Sequence, residues 1–202
     1  MVYRETPAVR ARQADTRARL VAAAAGLVAE GGYAGASMAA VAQAAGVGTG
    51  TLYRHFPNKG TLFAEVFRVA CAREVAAATA DAKQRTLEGG SHVDAVVTAV
   101  TVFARRALLS GRLAYALLCE PVDLLVDAER LVFRESYRDL LAVQIRAAVD
   151  AGEIPDQDAT ISAAGIVGAI GEALVMPLTR GDADPHVLSA MTLFVRRCLG
   201  GT

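Results

Sequence analysis

Residues 37–59 read SMAAVAQAAGVGTGTLYRHFPNK. Ser37 suits the N-cap of a short helix over Met38 to Ala45, because a hydroxyl there accepts from a free amide of the first turn. Val41 and Ala45 fall on the inner side of that helix. Gly46 ends it, since glycine reaches the positive φ that a terminating turn requires. A second short helix is expected over about Thr49 to His55. Leu52 and Phe56, four residues apart, give it an inner face, and Val47 anchors the turn. Pro57-Asn58 breaks the chain, and Asn58 can cap the helix that follows. Helix, tight glycine turn, helix is the layout of a DNA reader: the first helix braces the backbone and the second enters the major groove.

With Leu52 and Phe56 turned inward, Thr49, Tyr53 and Arg54 are left largely outward. The residues expected at base edges are Thr49, Gly50 and Thr51, at the N-terminal end of the second helix. Gly50 lets the main chain approach the duplex closely, and Thr51 offers a hydroxyl and a methyl. Tyr53, His55 and Lys59 carry donors of long reach, suited to phosphates. Arg54 fits either a guanine edge or a phosphate. Ser37 completes the DNA-facing set at the start of the bracing helix.

Upstream, residues 1–13 read as a flexible arginine-bearing arm. A first helix is expected from Asp15 to Glu30, with Leu20, Ala24, Leu27 and Val28 on one face and Gly31-Gly32 as its stop. Residues 1–60 hold seven basic against three acidic side chains, a net +4 in a chain whose formal charge is zero. A basic front end on an acidic body is expected to meet a polyanion.

Downstream the helices lengthen: about Lys59 to Arg85, then Ser91 to Gly111 after the Gly89-Gly90 break. A short segment, Leu113 to Cys119, leads to Pro121. Asp123 to Ala151 follows, ended by Gly152 and Pro155. The last two helices run from about Gln157 to Leu178 and from Pro185 to Leu199. The chain has 202 residues, 53% of them apolar, and no Trp. It lacks long period-two stretches rich in β-branched residues, so the expected class is all-α.

Several functions are set aside on composition. Cys71, Cys119 and Cys198 are odd in number and far apart, and His55, His92 and His186 do not cluster. Neither a disulfide framework nor a metal site is expected, and no cofactor is implied. Gly46, Gly48 and Gly50 alternate as in a nucleotide-binding loop. However, a helix precedes them, and Thr51 stands where the fingerprint needs its third glycine. No nucleophile–base grouping or carboxylate pair stands out, so an enzyme is not expected. Glu172 interrupts the most apolar stretch, Ala159 to Leu178, which reads as a buried interface helix rather than a membrane span. No signal peptide is apparent, and a cytoplasmic location is expected.

The stretch 37–59 closely resembles the helix-turn-helix of the TetR-like (TetR/AcrR) family of bacterial transcription regulators. The telling parts are Ala45-Gly46-Val47 and Gly50-Thr51-Leu52-Tyr53-Arg54-His55-Phe56, then Lys59 and the apolar start Leu62-Phe63. The resemblance covers about residues 12 to 68. It implies a three-helix DNA-binding domain, residues 14–57, and a larger helical bundle for ligand binding and dimerisation, residues 58–202. It also implies a homodimer on a palindromic operator, released when a small-molecule effector binds. The phosphate-contact roles carry over to Tyr53, His55 and Lys59, and the base-reading roles to Thr49, Gly50 and Thr51. Gly48 departs from the family, where a Ser often caps the recognition helix. Met38, Ala39 and Ala40 offer no polar side chain for a contact from the second helix.

In the body, the helix from Asp123 shows two faces. Leu124, Ala128, Leu131 and Val132 begin one, which continues through Leu141, Ile145 and Ala148. The other runs Val126, Arg130, Phe133, Tyr137, Leu140, Gln144. It mixes apolar walls with polar anchors, as ligand pockets do. The candidate ligand residues are Arg130, Phe133 and Tyr137 from this face. Phe67, Phe103, Tyr115 and Cys119 join them, on helices that the resemblance sets around the same cavity, and Glu172 is the one carboxylate of its helix. For the dimer interface, the small residues Gly165 and Gly168 let helix axes approach closely. The last helix adds an apolar stripe with Val187, Met191, Phe194 and Val195. The functional expectation is a ligand-responsive repressor. The alternative is a constitutive helix-turn-helix or architectural protein with no inducer.

Overall fold

Short polar side chains mark most of the helix starts. The computed structural model describes residues 6–181 and 185–200. Among the described residues there are eight helices and no strand. They are α1 (Pro7–Gly35), α2 (Met38–Ala44), α3 (Thr49–His55), α4 (Lys59–Leu87), α5 (His92–Leu118), α6 (Leu124–Asp150), α7 (Ala159–Arg180) and α8 (Pro185–Cys198). Ser37, Asn58, Ser91, Asp123 and Asp158 each accept from a first-turn amide. Asn58 and Ser91 do so in reciprocal capping boxes with Thr61 and Asp94. Such caps satisfy amides that an α-helix leaves unpaired.

Three expectations need correction. Residues 6–13 are not part of a flexible arm. Thr6 caps α1 by accepting from the Val9 N–H at 3.4 Å, and Pro7 supplies the fixed φ that suits a first helical position. Residues 1–5 lie outside the described residues. Second, the break expected at Gly111 is present as a kink (φ 42°, ψ −101°), but the short segment beyond it is helical as far as Leu118, so α5 spans both. Third, the first face expected of α6 is not continuous. Leu124, Leu131 and Val132 are exposed, and the buried stripe is Val126, Phe133, Tyr137, Leu141, Ile145, Ala148. This stripe draws on both predicted faces, because α6 packs against α4, α5 and α7 rather than against a single neighbour.

α1, α2 and α3 gather around Leu20, Ala24, Val28, Val41, Leu52 and Phe56, all 2% exposed or less. α4 leads from this group into the body, packing on α1, α5 and α6. α5 is the central helix, touching α1, α4, α6, α7 and α8. Gly60 in the first turn of α4 lies so close to the N-cap of α6 that a Cβ there would stand 2.6 Å from Asp123 Cγ. Asp94 ties three helices together. Its carboxylate accepts from Arg196 of α8 at 2.6 Å and from Arg85 of α4 at 3.3 Å, beside its own capping box on α5.

α7 is long and apolar enough to cross a membrane. Its face of Ala163, Ile166, Ile170, Leu174 and Leu178 is buried in the bundle. The opposite face is exposed and includes Ile161, Ala164, Gly165, Gly168 and Met176.

Candidate nucleic-acid interface and cavity

The turn between α2 and α3 is closed by main-chain bonds from Gly46 N–H to Gln43 O and from Val47 N–H to Ala42 O, both 3.0 Å, with Gly46 at φ 65°. Gly48 is the N-cap of α3 and supplies no side-chain bond. Leu52 and Phe56 are fully buried. This phase leaves Thr49, Gly50, Tyr53 and Arg54 exposed, and Thr51 and His55 half-buried. Ser37 is exposed, but its Oγ is engaged as the cap of α2, accepting from Ala40 N–H at 3.1 Å. Arg54 donates to Thr51 Oγ1 at 3.2 Å, so these two side chains act as one polar unit.

Two arginines of the basic front end perform a task that the sequence did not reveal. Arg17 donates to the carbonyl of His55 at 3.0 Å and to Glu65 at 2.9 Å, and its guanidinium lies 4.2 Å from the Phe56 ring centroid. It fastens the C-terminal end of α3 to α4. Arg19 donates to the carbonyl of Ala45 at the end of α2. Cations at helix C-termini meet unpaired carbonyls and the negative end of the dipole. The hydrogen bond from Arg17 holds the Glu65 carboxyl below its ordinary range against the opposing effect of burial. Burial, with the charges of Arg17 and Arg54, pushes the His55 imidazole down.

Lys59 is half-buried at the junction of α1 and α4. Its Nζ donates to Tyr33 O at 2.6 Å and lies 4.2 Å from the Tyr33 ring centroid. Burial pushes its pKa down, and nearby Glu120 opposes this. Glu120, which sequence reasoning missed, belongs to the corner between α5 and α6. Tyr33 N–H donates to its Oε2 at 3.0 Å and Ala34 N–H to its Oε1 at 3.4 Å. The carboxylate thus satisfies amides released where Gly32 (φ 72°) breaks the helical path of α1.

A cavity of about 770 Å³ lies among α4, α5, α6 and α7. Six of the eight candidate residues line it together with others: Phe67, Phe103, Cys119, Arg130, Phe133 and Tyr137; a seventh, Glu172, lines it from α7. The rings of Phe103, Phe133 and Tyr137 stand 5.1–5.9 Å apart, and Phe67 meets Phe133 edge-on at 6.5 Å. The Tyr137 hydroxyl donates to Ala99 O at 2.6 Å. Burial pushes the Cys119 thiol up.

Tyr115 is the exception: it does not line the cavity. The Gly111 kink re-phases the end of α5, so that Leu117 and Leu118 face the cavity instead. Glu172 is exposed rather than buried. Arg130 lines the cavity and is also a structural tie. Its Nε donates to Leu117 O and its Nη2 to Ala116 O, both 2.8 Å. Nη2 also reaches Glu120 O, and Nη1 reaches Asp127, both at 2.7 Å. It therefore closes the C-terminal end of α5. Arg134, Glu135 and Arg138 also line the cavity, and sequence reasoning missed them. The continuation of Arg130 along α6 at one-turn spacing, through Arg134 and Arg138, was the available signal.

Among the dimer candidates, Gly165, Gly168 and Phe194 are exposed and Val187 is half-buried. Met191 and Val195 are buried within the protomer, 5% and 0% exposed, and form the inner side of α8, with Leu199 buried just past its end. The apolar stripe of α8 is wider than one seam. Its inner half packs on this chain's own bundle, and Ala190, Leu193 and Phe194 form the outer half.

A glycine-turned helix pair with an exposed second helix, set on a helical body that holds an apolar cavity, defines a helix-turn-helix regulator fold. Residues 20–66 match the family described as bacterial regulatory proteins, tetR family. The match is confined to that segment, and the chain as a whole has the fold of solved transcription regulators. The transcriptional regulator FadR from Bacillus subtilis, solved with stearoyl-CoA, is similar at TM-score 0.76 and 19% identity, over 92% of this chain and 98% of that one. RolR, solved with resorcinol, gives TM-score 0.71 and 19% identity, over 96% and 91%. The TetR family regulator PfmR from Thermus thermophilus gives 0.65 and 20%, over 91% and 98%. No curated protein matches by sequence.

Proposed function

We propose that this protein is a ligand-responsive transcription regulator: a homodimeric repressor that leaves a palindromic operator when a small molecule fills the cavity. The DNA-binding unit is residues 14–57 and the regulatory body is residues 58–202. Thr49, Gly50 and Thr51 read bases from the start of α3, with Arg54 braced on Thr51. Ser37, Tyr53, His55 and Lys59 meet phosphates; Lys59 keeps two N–H donors beyond the one given to Tyr33. The outer faces of α7 and α8 pair across a two-fold axis. That spaces the two α3 helices about one DNA turn apart, roughly 34 Å. FadR and RolR, solved with stearoyl-CoA and with resorcinol, are precedents for a ligand-binding body on this fold.

The observation that carries this reading is a continuous polar path from the cavity wall to the DNA-binding helices. Arg130 faces the cavity and holds the carbonyl of Glu120. The Glu120 carboxylate holds the amides of Tyr33 and Ala34. Lys59, at the head of α4, holds the carbonyl of Tyr33. A ligand that prefers another position of Arg130 shifts the corner, and with it the junction of α1 and α4. A ligand moves such an equilibrium only by its difference in affinity for the two states.

The test is a gel-shift titration on DNA upstream of the protein's own gene, at fixed moderate salt. A specific shift that is weakened by Lys59→Ala, with the salt slope reduced by about one contact, supports the reading. Absence of any specific shift sinks it.

A further inference from the structure

The rim of the cavity carries three guanidinium groups at one-turn intervals on α6: Arg130, Arg134 and Arg138. Arg130 is engaged with three carbonyls and Asp127. Arg138 donates to Asp139 at 2.7 Å and to Glu135 at 3.5 Å. Arg134 makes no hydrogen bond or ion pair among the described residues, and it is exposed. Glu172 lines the same mouth from α7 and does not pair with Arg134.

The deep end of the cavity is different. Its buried lining is Phe67, Phe103, Phe133, Leu141, Ile166 and Ile170, with Val100 and Tyr137. The one side-chain donor there, the Tyr137 hydroxyl, is taken by Ala99 O. A ligand carbonyl, hydroxyl or charge placed at that depth finds no side-chain donor, and burying a polar group without one is costly. The occupant therefore has an apolar body and keeps its polar group at the rim.

At the rim the available partner is a guanidinium, whose planar fork pairs with a carboxylate through two parallel bonds. A cationic head would meet Arg130, Arg134 and Arg138 against Glu135 and Glu172, and Glu135 is already engaged by Arg138. Glu172 opposes a second negative charge. We infer that the cavity is a receptor for an apolar monocarboxylic acid, its hydrocarbon body among Phe67, Phe103, Phe133 and Tyr137 and its carboxylate on Arg134. This rests on the reading that the cavity takes a small molecule, and assigns that molecule's class.

Three probes of one chain length separate the possibilities: decanoate, 1-decanol and decyltrimethylammonium, each below its micelle concentration. Calorimetric titration of the full chain is expected to give decanoate binding about tenfold or more tighter than decanol, the size of a charge-assisted pair. Arg134→Gln removes about that factor for decanoate and leaves decanol unchanged. Arg134 is exposed, so the substitution leaves the core intact; Arg134→Lys retains part of the preference. Glu172→Gln tightens decanoate. Equal binding of acid and alcohol, or decanoate affinity unaltered by Arg134→Gln, overturns the inference. If decanol or the ammonium binds as tightly as decanoate or more tightly, and loosens the operator complex, the sensor reading stands and the acid class falls. If no probe binds, the acid class falls, and the regulator reading falls with it only if the specific operator shift is absent too.

Discussion

Gly50 sits in α3 with nothing within 4 Å of where a Cβ would stand, at an exposed site and without a positive φ. The fold therefore has no need of glycine there, and alanine favours a helix interior over glycine by about 0.8–1 kcal/mol. A close approach to DNA would need it, since a methyl would enter the groove first. Gly50→Ala is accordingly expected to melt at the same or a higher temperature while its operator affinity falls at least about tenfold, the scale of one lost specific contact. Parallel thermal melts and gel shifts read the two effects separately. Leu52, in the same helix, behaves in the opposite way. It is fully buried beneath α3, so Leu52→Ala lowers stability by about 2–5 kcal/mol and takes DNA binding with it.

At the scale of elements, the helix ends were legible where a single side chain decides them. Ser37, Gly46 and Asn58 did so, and α3 runs from Thr49 to His55 as its pattern predicts. What stayed hidden depends on partners distant in sequence. Glu120 is 87 residues from Tyr33, and nothing near either residue signals the bond. Tyr115 was misplaced because one glycine, Gly111, rotates the rest of α5 in a way that no periodicity shows. Met191 and Val195 were assigned to an interface because an apolar stripe does not say which neighbour covers it. The Glu120 corner has a direct test. Glu120→Ala removes acceptors worth about 1.5–3 kcal/mol for bonds to a charged group. Amide exchange at Tyr33 and Ala34 is expected to quicken, with α7 and α8 unchanged. Arg130 keeps its bond, because it uses the main-chain carbonyl of residue 120. Unaltered protection at residues 33 and 34 would show that the corner does not hold α1.

For the whole molecule, the exposed apolar side chains of α7 and α8 argue for a second copy. Ile161, Met176, Leu193 and Phe194 are 42–70% exposed, beside the small residues Gly165 and Gly168. Patches of this kind mark association surfaces. Phe194→Glu is expected to give a folded monomer in sedimentation, with operator affinity reduced about a hundredfold or more as two half-sites lose their linkage. A dimer that survives this substitution would move the interface elsewhere. The Asp94 tie among α4, α5 and α8 adds a consequence in proton linkage. The hydrogen bond from Arg196 is the main cause that holds its carboxyl below the usual range, outweighing burial, with Ser91 and Arg85 adding to it. A carboxyl depressed on folding contributes stability that is full above its unfolded value, about 4, and lost as pH falls through the folded one. Asp94→Asn is therefore expected to unfold more readily than the parent at neutral pH, as urea midpoints will report. The gap should narrow steadily below about pH 4, as the parent takes up the proton whose absence had joined its last helix to its fourth and fifth.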